Sequence, residues 1–134
     1  MTERMVAMTK KILLIDDESA FCDMVKENVE LRGEYAVRIA NNGKEGLKTA
    51  RRIKPDIILL DIRMPKMDGF KVLEELKKDV ATLSIPVIML SALDDEESKT
   101  RSASLYDDMY LVKPVKMAEL LSKIEDVLKI RGVK

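Results

Sequence analysis

Four short stretches of this 134-residue chain carry side chains able to do chemistry together. Asp16 and Asp17, followed by Glu18, close one apolar run, Asp61 closes a second, and Ser91 and Lys113 end two more. A carboxylate at the point where a buried strand emerges is partly desolvated, so it needs a cation, a hydrogen bond or a proton. Three carboxylates converging from separate strands raise one another's pKa unless a cation sits among them. Histidine is absent, which removes the commonest general base and metal ligand. Hard oxygen donors without His or Cys favour Mg²⁺, which keeps several waters and pairs readily with phosphate oxygens. Lys113 adds a point positive charge and Ser91 a hydroxyl, both suited to phosphoryl oxygens. The set fits phosphoryl transfer, with Asp61 as the nucleophile. Taken singly, Asp61 could instead cap a turn into the next helix, and Asp16 and Glu18 could be ordinary first-turn acids.

Whether these residues meet depends on the elements that carry them. Lys11 to Ile15 and Asp56 to Leu60 are short apolar runs of the kind buried on both faces of a parallel sheet. Tyr35 to Ala40 alternates and suits an edge strand, while Ile85 to Leu90 and Met109 to Val112 supply a fourth and a fifth. Between them lie helical patterns. Ser19 is placed to cap a helix with Phe21, Val25 and Val29 inward and Gly33 at its end. Leu47, Ala50 and Ile53 mark a second helix, with Lys44, Lys48, Arg51 and Arg52 as a solvated outer face and Pro55 as its stop. A third begins near Asp68 and buries Phe70, Leu73 and Leu76; a terminal one buries Met117, Leu120, Leu121, Ile124, Val127 and Leu128. From Asp94 to Ser104 the only apolar side chain is Ala103, so a helix there is expected to be short, mobile or packed against something outside the domain. Strand and helix alternating five times predict an α/β sandwich with right-handed crossovers. Sites in such sheets lie at the carboxyl ends of the strands, and that is where Asp16, Asp17, Asp61, Ser91 and Lys113 fall.

The bulk properties narrow the classes. Residues 10–131 suit one domain, with residues 1–9 as a flexible leader and 132–134 as a tail. Twenty-four basic residues balance 24 acidic ones, so the chain has no bulk preference for nucleic acid or membrane, and binding must be local. No run approaches the ~20 apolar residues of a membrane span, and residues 1–9 lack the apolar core of a signal peptide. Cys22 is the only cysteine, which excludes a disulfide framework and a thiolate metal cluster and points to a reducing, cytoplasmic location. It is expected to fill the core and not to sense redox state.

The ordered set of motifs closely resembles the receiver domain of two-component response regulators. The acidic pair, the segment LLDIRMPKMDG from Leu59 to Gly69, Ser91-Ala92, and YLVKP from Tyr110 to Pro114 keep the family's intervals from Lys10 to about Ile130. The resemblance implies a flavodoxin-like fold with a parallel five-stranded sheet in the order 2-1-3-4-5. It implies a phosphorylation-dependent switch in which Asp61 accepts a phosphoryl group from a sensor histidine kinase or a histidine phosphotransfer protein. Asp17, Asp61 and the main-chain carbonyl of Arg63 would hold Mg²⁺, with Asp16 assisting through water. Ser91, Ala92 and Lys113 would meet the phosphoryl group, Tyr110 would swing inward, and the Lys113-Pro114 bond would be cis. The product would be a change in affinity for a downstream protein, not turnover of a substrate, and a receiver without an output domain is expected. The chain departs from the family at Tyr106-Asp107-Asp108-Met109, where small Gly and Ala residues are usual. Two alternatives remain at this level. One is an Mg²⁺-dependent phosphohydrolase with an aspartyl nucleophile, disfavoured by Arg63 where a second acid is needed; the other is an interaction module independent of phosphorylation.

Overall fold

The computed structural model describes residues 9–92 and 110–130. Five strands, β1 (Lys10–Ile15), β2 (Tyr35–Ala40), β3 (Ile57–Asp61), β4 (Val87–Ala92) and β5 (Tyr110–Lys113), form one sheet. All neighbours are parallel and the order is β2-β1-β3-β4-β5, as the motif set implies. Four helices are described: α1 (Ser19–Glu30), α2 (Gly43–Ile53), α3 (Gly69–Lys78) and α4 (Met117–Ile130). The polar Asp94 to Ser104 stretch and the atypical Tyr106 to Met109 stretch lie outside the described residues.

The central strands are apolar on both faces because both faces are covered. Ile12, Leu14, Ile57 and Leu59 join one core cluster with α1 and α4 residues Val25, Val29, Leu120 and Ile124. Leu13, Ile15, Ile58 and Leu60 join the opposite cluster with Leu47 and Ala50 of α2 and Phe70, Leu73 and Leu76 of α3. All eight strand residues are fully excluded from solvent. Truncating one of these to Ala typically costs about 2–5 kcal/mol, so the sheet that presents the site is also the main source of stability.

Several boundaries move from the sequence expectation for identifiable reasons. Ser19 does not cap α1: it is already helical, and the N-cap is Glu18, whose side chain makes no capping hydrogen bond. The β4 ladder begins at Val87 and not at Ile85, since Pro86 has no N–H to give, although its carbonyl still accepts from the Ile58 N–H at 2.9 Å. Both β3 and β5 run one residue further than their apolar stretches, to Asp61 and Lys113. At α2, Asn42 caps the start by accepting from the Glu45 N–H at 2.9 Å, and Lys54 ends it in the left-handed region at φ 47°. Asp68 caps α3 through the Lys71 N–H at 3.0 Å.

The outer edge of β2 is capped at Val37 by side chains from α1. On β2 the Val37 N–H donates to Glu30 Oε2 and the Val37 carbonyl accepts from Lys26 Nζ, both at 2.8 Å. Lys26 and Glu30 also pair with each other at 2.9 Å.

Candidate functional site

The register of the sheet brings the chemistry-bearing residues to one edge. Ile15 pairs with Leu60, so the next residues of β1 and β3, Asp16 and Asp61, emerge side by side. Asp61 pairs with Leu90, which sets Ser91 beyond it on β4, and Ala92 pairs with Lys113 at the end of β5. Carboxylate oxygens of Asp16, Asp17 and Asp61 lie within 4.8 Å of one another. Asp16 and Asp61 are buried, Asp17 is exposed, and Ser91 is fully buried.

Lys113 reaches into this cluster. Its ammonium lies 2.8 Å from Asp16 Oδ2, 2.8 Å from Glu18 Oε1 and 3.5 Å from Asp61 Oδ1. The ring of Phe21 closes another side, 4.4 Å from the ammonium to its centroid. Asp16 is held further by the Glu18 N–H, which donates to its Oδ1 at 2.9 Å, while its main-chain carbonyl accepts from the Cys22 thiol at 3.3 Å and from Asn41 Nδ2 at 3.1 Å. One lysine facing several acids leaves the cluster short of positive charge.

The titration behaviour follows from that shortage. Burial, and then the charge on Asp16, push the Asp61 carboxyl up to about 7, with Lys113 pulling against them. Burial also raises Asp16 against its hydrogen bonds from Lys113 and the Glu18 N–H. Burial alone would lower the Lys113 ammonium, but its bonds to Asp16 and Glu18 and the attraction of Asp61 outweigh it and hold it above the ordinary lysine range. Cys22, buried beside Asp16, is pushed up to about 12, so it is an inert thiol at neutral pH and fills the core. An all-oxygen set of three close carboxylates is the donor chemistry that Mg²⁺ takes, so the residues fit that ion.

The loop after β3 is shaped by close approach. The Gly69 N–H donates to the Ile62 carbonyl at 2.8 Å, and a Cβ on Gly69 would collide with the Asp61 carbonyl oxygen and come within 2.8 Å of Ile62 Cα. Arg63, two residues past Asp61, is exposed. The Lys113-Pro114 peptide bond is cis. Tyr110 is half-buried against the α2 and α3 side of the core, and its hydroxyl is buried without a hydrogen-bond partner among the described residues. Two neighbours of the lysine were not singled out from sequence, Phe21 and the Glu18 carboxylate. The third acid of the Asp16-Asp17-Glu18 run was the available signal for Glu18; Phe21 was legible only as an inward apolar residue at the start of α1, not as a neighbour of the lysine.

Comparison with known proteins identifies the family. The sequence model of the response regulator receiver domain matches residues 12–125. The chain belongs to the receiver domain family. It is 40% identical over 119 residues to the DNA-binding dual master transcriptional regulator RpaA of Synechocystis, covering 89% of this chain and 49% of the relative. It is 38% identical over 122 residues to the alkaline phosphatase synthesis transcriptional regulatory protein PhoP of Bacillus subtilis, covering 91% and 50%. The chain thus spans about half the length of the curated relatives it matches. Among solved structures, a CheY-like receiver domain protein from Methanospirillum hungatei superposes with a TM-score of 0.82 at 32% identity, covering 92% of this chain and 97% of that one. A Francisella response regulator receiver domain gives 0.80 at 33%, covering 91% and 98%. The receiver domain is therefore a signalling switch of the two-component type. No helix among the described residues is long and apolar enough to cross a membrane.

Proposed function

We propose that this receiver accepts a phosphoryl group on Asp61 from the phosphohistidine of a cytoplasmic histidine kinase or phosphotransfer protein, and that the modified state changes its affinity for a protein partner. The observation that carries this reading is Lys113 seated among Asp16, Glu18 and Asp61 at the carboxyl ends of β1, β3 and β5. An Asp61 carboxylate oxygen attacks the phosphorus, the bond from phosphorus to the imidazole nitrogen breaks with its electron pair returning to that nitrogen, and an acyl phosphate remains on Asp61. Asp16, Asp17 and Asp61, with the Arg63 main-chain carbonyl, would hold Mg²⁺, which when bound neutralises charge on phosphoryl oxygens. The Lys113 ammonium turns from its carboxylates to one phosphoryl oxygen, and the Ser91 hydroxyl and the Ala92 main chain approach another. Tyr110, whose hydroxyl is already buried and unpartnered among the described residues, needs no inward swing and reports the change by repacking at the β4 and β5 side. The exposed Arg63 in place of a second acid favours slow loss of the phosphoryl group over turnover of an external phosphoester. The relatives named as transcriptional regulators share the receiver portion with this chain, so the proposal is confined to that portion.

Incubation with Mg²⁺ and acetyl phosphate should add one labile adduct of about 80 daltons, absent in Asp61→Ala. No adduct on the unaltered chain would end this reading. Lys113→Ala should still form some adduct but lose the gain in partner affinity.

A further inference from the structure

We propose that Glu18 is a positioning residue: it holds Lys113 in a resting seat on the α1 side of the site, and so sets how readily that lysine transfers to a phosphoryl group on Asp61. The inference rests on the phosphorylation reading above and deepens it. An ammonium has three N–H donors. Two of them are spent at 2.8 Å on Asp16 and Glu18, the distance of a strong charge-assisted bond, while Asp61 is left at 3.5 Å. The Phe21 ring bounds the seat from another side at 4.4 Å. In its resting state the lysine is therefore held closer to Asp16 and Glu18 than to Asp61, with which it keeps only the longer ion pair.

Glu18 is built for this role by its position. It stands at the N-cap of α1, yet its carboxylate makes no bond to the helix end and instead reaches across to Lys113, 95 residues away. Its main chain is tied down because its N–H donates to Asp16 Oδ1 at 2.9 Å, so Asp16 fixes both Glu18 and the lysine. The two partners differ in strength. Asp16 is fully buried, whereas the Glu18 side chain is 63% exposed. A pair with an exposed carboxylate holds weakly and is screened by solvent, so the Glu18 arm is a bias that a phosphoryl group can overcome and not a lock. Removing it should leave the fold intact.

The experiment uses the full chain with Glu18→Gln, which keeps shape and removes charge, and Glu18→Asp, which keeps charge but shortens the reach. Two readouts are taken: the rate of adduct formation with acetyl phosphate at saturating Mg²⁺, and the calorimetric affinity for beryllofluoride, which needs no turnover. Both variants should form the adduct faster and bind beryllofluoride more tightly, by roughly 1.5-fold to fivefold, the range a weak ion pair allows. The gain should vanish when either change is combined with Lys113→Met, since the effect acts through that lysine. The proposal is overturned if neither variant changes these quantities, if Glu18→Asp behaves as the unaltered chain, or if the gain persists with Lys113→Met. Absence of any adduct or beryllofluoride binding in the unaltered chain would instead overturn the phosphorylation reading beneath it.

Discussion

Keeping Asp61 ionised at the end of β3 costs free energy. Its carboxyl is pushed up to about 7 from 3.8, first by burial and then by Asp16, so folding favours the protonated form. The stability contributed by that proton is complete below the unfolded value of 3.8 and is lost as pH rises towards about 7. Asp16 is shifted in the same direction, and Lys113 titrates above this window. With divalent ions removed by chelator, the urea midpoint should therefore be lower at about pH 8 than at about pH 5, with a slope of up to about 1.4 kcal/mol per pH unit for each proton released. Asp61→Asn should flatten the profile and raise the midpoint at the higher pH. A profile as steep in that variant as in the unaltered chain would place the titration elsewhere.

At the level of elements, the site depends on backbone fit as much as on side chains. Gly69 starts α3 against the carbonyl of Asp61, where there is no room for a Cβ. Gly69→Ala should destabilise the domain by about 1–3 kcal/mol in urea unfolding and slow adduct formation, because the chain leaving Asp61 must shift. Unaltered stability and rate would show that the loop yields freely. Lys54→Gly should act in the opposite sense and stabilise by about 0.5–1 kcal/mol, since φ 47° suits glycine and the N–H that donates to the Ala50 carbonyl at 3.0 Å is retained. The strands were legible because buried parallel strands are runs of apolar residues, as in KILLI and IILL, and the helices because their inner faces repeat at helical spacing. Strand ends were not legible to the residue, because a ladder stops where its neighbours stop offering partners: Pro86 delayed β4, while β4 pairing carried β5 to Lys113. The residues at the strand ends stood out because acids and a lysine are rare after apolar runs. The Glu18 to Lys113 and Phe21 contacts could not be read, as they join residues roughly 90 positions apart that only the crossover of α1 brings together.

Across the whole molecule, the candidate metal site draws on β1 and β3, and Lys113 brings in β5, so occupancy bears on the sheet and not on one loop. A ligand that binds only the folded form raises stability by mass action. At about pH 8, Mg²⁺ at ten times its Kd should add about 1.4 kcal/mol, and the gain should be largely absent in Asp61→Asn. An equal gain in both proteins would show that the ion acts elsewhere. The α1 side chains that cap the β2 edge at Val37 bear on a different property of the molecule, its behaviour at high concentration. An open sheet edge is a template on which a second chain can add a strand. Here the outward Val37 amide and carbonyl are already taken by Glu30 and Lys26, so an incoming strand would first have to evict a paired acid and base. Losing either member uncovers one backbone group and leaves the other side chain without its partner. Self-association through β2 is thus opposed by the same helix that supplies Glu18 and Phe21 to the site.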